Sequence, residues 1–194
     1  MSHSLAVMTS AKSDIHYTPL EVIELVHLFW PQGIDLDPAS DEVANQLVKA
    51  KRIYTESNNG LDFAWNADTV FINPPYSLVS KFIDKLRVSL LSVDGPIEAI
   101  TLTKADTSTQ WFKLIWENAS AICFVNHRLQ FWKSDITANQ CNLFKEPDPV
   151  FENQASAPFC SAIAYFGSDP HRFSCLFSRL GPVAINWVGV HKHD

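Results

Sequence analysis

Short apolar runs alternate with amphipathic ones along most of this chain, and that alternation constrains its fold more than any other feature. Compact β-type runs stand at 34–37, 69–72, 97–102 and 121–125, with further strand candidates at 129–132 and 161–166. Between them lie segments with helical spacing. Thr18-Pro19-Leu20-Glu21 reads as a helix start, with Thr18 as N-cap, Pro19 in the first turn and Glu21 as capping-box partner. Leu20, Ile23 and Leu28 then supply an apolar face that Pro31 ends. A second helix is predicted over 41–51. A third, capped by Ser77, carries Val79, Phe82, Ile83, Leu86 and Leu90 at the 3.6-residue period, and a fourth runs over 109–118. Strands that alternate with helices predict an α/β fold of Rossmann-like type, a mostly parallel twisted sheet flanked by helices.

The chain is 194 residues long and 46% apolar, enough for one domain with a core of its own, expected over residues 14–194. Residues 1–13 read as a loose polar arm, and the proline-containing polar stretch 133–157 as an irregular loop or insertion. Cys123, Cys141, Cys160 and Cys175 have no paired spacing, which argues against a zinc site and favours reduced, mostly buried thiols. No apolar run has signal-peptide or membrane-spanning length, so a soluble, cytoplasmic protein without membrane contact is expected. The formal net charge of −6 excludes a strongly basic nucleic-acid binder.

Asn73-Pro74-Pro75-Tyr76 directly follows a predicted strand and precedes a helix, which sets it at the carboxyl edge of the sheet. Two prolines stiffen the turn. Such a turn offers one side-chain acceptor, Asn73, beside one backbone acceptor on Pro74, and Tyr76 adds a flat aromatic surface. This arrangement suits a planar group bearing an exocyclic or amide NH2, whose two N–H bonds the acceptors take while the ring stacks. The chemistry is then positioning and electrostatics, with no covalent enzyme intermediate. The competing interpretation is a proline-stiffened strand exit whose Asn caps the next helix.

On these residues the chain resembles the phage-type DNA N6-adenine methyltransferase (Dam) family. The resemblance extends over Tyr17-Thr18-Pro19, Leu36-Asp37-Pro38-Ala39, Gly60-Leu61-Asp62 with Trp65, and Asn73-Pro74-Pro75-Tyr76. It continues through residues 107–112, Arg128-Leu129-Gln130-Phe131 and Ser156-Ala157-Pro158-Phe159. It implies a methyltransferase domain that uses S-adenosylmethionine to modify the N6 amine of a flipped adenine in DNA, without a metal. Asn73, Pro74, Pro75 and Tyr76 would be catalytic. Asp37, Pro38 and Ala39 would face the cofactor, Tyr17, Thr18 and Pro19 would hold its carboxylate end, Asp62 would approach its adenine ring, and Asn73 would border it. Ser40-Asp41 stands where many relatives place glycines, and the acid expected after the second strand is reduced to the neighbourhood 54–56.

Extrusion of a base from a duplex calls for a stacking surface and phosphate contacts. Tyr76 is the stacking candidate, Lys104, His127, Arg128 and Lys133 are the DNA contacts, and Phe131 and Trp132 are core or wedge residues. His127 replaces a glycine of the family's Gly-Arg pattern. Asn73 favours adenine over cytosine, whose N4 enzymes more often carry Ser there. An RNA adenine, a protein glutamine amide, or a non-catalytic DNA-binding or anti-restriction module are the alternatives. The charge splits in keeping with the main reading: residues 1–75 carry a net −6 and residues 76–145 a net +2. The acidic part is the one expected to meet a cationic cofactor.

Overall fold

The computed structural model describes residues 17–134, 151–153 and 158–186. The elements are α1 (Leu20–Phe29), β1 (Leu36–Asp37), α2 (Ala44–Val48), β2 (Arg52–Ile53), β3 (Thr69–Ile72), a 3-10 turn (Tyr76–Leu78) and α3 (Val79–Leu90). They continue with β4 (Glu98–Lys104), α4 (Gln110–Asn118), β5 (Ala121–Phe124), β6 (Trp132–Ser134), β7 (Phe151–Asn153), β8 (Ser161–Phe166), α5 (Pro170–Phe177) and β9 (Val183–Ile185). Seven strands form one sheet in the order β2-β1-β3-β4-β8-β5-β9, and β6 pairs with β7 separately. Strands β1 to β5 run in one direction, whereas β8 and β9 oppose them. The sheet is α/β and Rossmann-like, with β8 inserted antiparallel between two co-directed strands.

Helices cover both faces. On one face α1 and α5 bury Val22, Ile23, Val26, Phe29, Phe173 and Phe177 against Phe71, Ile100, Leu102, Ile163 and Tyr165. On the other, α3 and α4 bury Phe82, Ile83, Leu86, Phe112 and Ile115 against Val70, Ile72, Ile122 and Ala164. Successive strand residues point to opposite faces. Leu36 packs in the α3/α4 layer, so Asp37 turns to the α1 layer. Phe71 and Leu102 already face that layer, and Asn73 and Lys104, each two residues further on, keep the same side. The pleat thus aligns Asp37, Asn73 and Lys104 on the α1 side of one sheet edge.

Several local expectations change. Helix α1 begins at Leu20 with Pro19 as N-cap, and the Pro19 carbonyl accepts the N–H groups of Val22 and Ile23. Thr18 does not cap; its hydroxyl is engaged elsewhere. Leu20 and Leu28 are exposed, and Val22, Leu25, Val26 and Phe29 join Ile23 in the buried face. Helix α2 is half the predicted length because Lys49 adopts a left-handed φ of 54°. Asn45 braces that exit, accepting from Ala50 N and donating to Ala50 O.

Ser77 lies inside the 3-10 turn and does not cap α3. Residues 129–131 are not a strand; the strand begins at Trp132. Phe131 is core, 2% exposed. The stretch 133–157 is not wholly irregular, since β6 and β7 pair through Trp132 with Asn153 and Ser134 with Phe151. Cys123 is buried, but Cys160 and Cys175 are exposed, which corrects the expectation of mostly buried thiols. Helix α5 and strand β9 were not foreseen. The expected arm at 1–13, the remainder of 133–157 and Cys141 lie outside the described residues. Among the described residues no helix is long and apolar enough to cross a membrane.

Candidate active site

The site is assembled at the carboxyl edge of β1, β3 and β4. Register pairs Leu36 with Val70 across β1 and β3, so the turns that leave these strands lie side by side. Asp37 ends β1 and is 3% exposed. Its Oδ1 accepts the Ala39 N–H at 3.0 Å. Burial pushes its carboxyl up to about 7, with nearby Asp41 adding to the rise and the Ala39 and Ser40 bonds opposing it. Asp41, four residues further on, accepts the N–H of Ala44, the first residue of α2, at 2.7 Å.

Tyr17 and Thr18 strap this edge together. The Tyr17 hydroxyl donates to Asp41 Oδ2 at 3.0 Å, while Thr18 Oγ1 accepts from Asn73 Nδ2 at 3.1 Å. The two residues therefore connect the turn after β1 with the turn after β3. Because Nδ2 of Asn73 donates to Thr18, acceptance from a further group falls to Oδ1. Asn73 does not cap a helix, and the chain passes through buried Pro74 into the 3-10 turn.

The loop carrying Asp62 is seated by Gly60. A Cβ there would come within 2.1 Å of the Pro38 carbonyl oxygen, so only glycine permits this approach. Trp65, 1% exposed, secures the loop by donating from Nε1 to Gly60 O at 2.8 Å. Asp62 itself is exposed on that loop. Beside it, Tyr54 leaves β2 and stacks on Phe63, with centroids 5.1 Å apart and planes at 19°. This aromatic pair was missed in the sequence, where nothing links residue 54 to residue 63.

On the other side of Asn73, Lys104 Nζ lies 4.0 Å from the centre of the Tyr76 ring and 4.7 Å from that of Phe159. Those two rings meet edge to face at 4.9 Å. A pocket of about 180 Å³ opens here, lined by Tyr76, Val79, Lys104, Asp106 and Trp111. Asp106 and Trp111 were not assigned a role from sequence, although Trp111 falls within the segment 107–112 already noted. His127 and Arg128 are exposed after β5. His127 Nε2 pairs with Glu21 Oε2 at 3.2 Å, so it is tied to the start of α1 and not to Tyr76. Lys133 belongs to β6; its side chain lies outside the described residues.

The twisted sheet, its two helical layers and the cluster of polar and aromatic side chains at the carboxyl edge define an α/β Rossmann-like domain. Among solved structures it is similar to a SAM-dependent O-methyltransferase from Thermotoga maritima, with a TM-score of 0.42 and 12% identity over 76% of this chain and 65% of that one. The chain belongs to the family of adenine-specific DNA methyltransferases described as DNA N-6-adenine-methyltransferase (Dam), whose sequence model matches residues 6–155. It is 28% identical to the DNA N-6-adenine-methyltransferase of Haemophilus phage HP1 over 149 residues, 76% of this chain and 83% of the relative. It is 30% identical to the protein of that name from Escherichia phage T1 over 131 residues, 67% of this chain and 51% of the relative.

Proposed function

We propose that this protein transfers a methyl group from S-adenosylmethionine to N6 of adenine in DNA, and that Asn73, Pro74, Pro75 and Tyr76 hold the target base. Family membership supports the reaction class. The observation that carries the assignment of residues is the Thr18–Asn73 hydrogen bond, which ties the Asn-Pro-Pro-Tyr turn to a strap that also grips the turn after Asp37.

The residues at the end of β1 fit a cationic cofactor. Asp37 is a buried carboxyl whose ionised form is penalised by burial, and a neighbouring positive charge relieves that penalty. Asp37, with Pro38 and Ala39, would hold the cationic end; Tyr17, Thr18 and Pro19 at the start of α1 would meet the carboxylate end, and Asp62 the adenine end. When bound, S-adenosylmethionine supplies an electrophilic methyl group on a positively charged sulfur.

The chain's own work is orientation. Asn73 Oδ1 and the Pro74 carbonyl accept the two N6–H bonds of the adenine, and Tyr76 stacks on its ring. These contacts turn the amine lone pair out of conjugation and toward the methyl group. As the nitrogen becomes positive, the same two acceptors stabilise the charge before a proton leaves to solvent. Lys104, Arg128, His127 and Lys133 are assigned to the DNA backbone, which carries affinity but no sequence information.

The test is transfer of a labelled methyl group to unmethylated duplex DNA, followed by digestion and identification of the modified nucleoside. N6-methyladenine is the expected product. Label found only in RNA or in protein, or no transfer by a protein that binds the cofactor, sinks the proposal.

A further inference from the structure

We infer that Lys104 is a displaceable cover for the Tyr76 ring, leaving it for a DNA phosphate when the extruded base arrives. This rests on the reading of Tyr76 as the surface on which that base stacks. The ammonium stands 4.0 Å from the Tyr76 centroid, the place over the ring that a stacked base would take. It lies at the same time 4.7 Å from Phe159. A cation in the angle between two perpendicular rings gains from both π-faces, and it keeps an aromatic surface covered while no base is present. Base and ammonium cannot both occupy that position.

Three features make the exchange feasible. Lys104 ends β4, so its Cα is held by the sheet while its four-carbon stem reaches out from the edge. The pocket beside it, about 180 Å³ and shared with Asp106 and Trp111, gives the side chain and the incoming base room to pass. The ammonium also has a better partner when DNA is bound, because a phosphate offers full charge where the rings offer only a quadrupole. Access of the base is thereby linked to engagement of the backbone. The pocket opens when a strand is there to receive the lysine.

Two measurements test this. In the free protein, a 13C-labelled lysine ε-carbon at position 104, identified by its loss in Lys104→Arg, should resonate upfield from ring currents and move back in Tyr76→Ala. An ordinary lysine shift in the free protein overturns the proposal. The second is the KM for unmethylated genomic DNA between 0.05 and 0.2 M salt. Lys104→Met removes one phosphate contact, so the slope of log KM against log salt should fall by about 0.9. This corresponds to a KM raised about eightfold at 0.1 M and about fourfold at 0.2 M. Lys104→Arg should restore both. An active enzyme whose slope is the same in Lys104→Met overturns the displacement alone. A wild-type protein that transfers no methyl group to any DNA overturns the displacement together with the functional reading beneath it.

Discussion

Replacing Asp37 by Asn should change how the stability of this protein depends on pH. In the folded chain the Asp37 carboxyl is raised from 3.8 to about 7 by burial. The folded state therefore binds more protons than the unfolded state across that interval, and stability falls as pH rises through it. A shift of about three units corresponds to about 4 kcal/mol, present below pH 4 and lost by pH 8. Asn is neutral at every pH and keeps an Oδ1 acceptor for the Ala39 N–H, so the variant lacks this loss. The measurement is urea unfolding of both proteins between pH 4 and pH 8, compared as a difference so that other titrating groups cancel. The two proteins should be similar near pH 4. Near pH 8, Asp37→Asn should be the more stable by about 4 kcal/mol, or about 8–16 °C in Tm for a chain of this size. Parallel pH profiles would refute the account of Asp37 as a buried acid that ionises at a cost.

Other outcomes follow from the same geometry. Cofactor affinity should rise with pH up to about pH 7 in the wild type, since binding a cation favours the ionised form of Asp37; titration calorimetry of Asp37→Asn should show a weak, flat profile. Asn73→Ala should abolish methyl transfer yet leave cofactor binding nearly intact, and retained transfer would contradict its role. Thr18→Val removes the acceptor for Asn73 Nδ2 at little cost in shape, so kcat should fall about tenfold, the worth of about 1.4 kcal/mol of lost orientation. Gly60→Ala forces Pro38 and the Asp62 loop apart, and a loss of about 2 kcal/mol or more in unfolding free energy is expected.

Much of the framework was legible because it is local. The β3 and β8 strands fall where the apolar runs lie, at Thr69–Ile72 and Ser161–Phe166, since a short run of β-branched and apolar residues has few other ways to bury itself. The fourth helix lies within a residue of its predicted span, and Thr109, expected as its first residue, caps α4 by accepting from Phe112 N. Asp37 at a strand end and Asn-Pro-Pro-Tyr at a strand exit were likewise readable, because each depends on its immediate neighbours. What failed turned on particular side-chain bonds, one of them long-range. Thr18 is a sound N-cap by its sequence, yet its hydroxyl accepts from Asn73, 55 residues away. Helix α2 stops early because Asn45 bonds to Ala50 around a left-handed Lys49.

The sequence by itself determined where most of the strands and helices up to residue 166 lie, and which residue types are able to accept an amine. Only the tertiary structure decided their company. The pleat set Asp37, Asn73 and Lys104 on one side of one edge. The strap of Tyr17 and Thr18 joined two turns, and burial turned an ordinary aspartate into one that titrates near neutrality. Lys104 shows the difference most plainly. As a letter in the chain it is one basic residue among 15, and its position over the Tyr76 ring exists only because β4 ends beside the turn that follows β3.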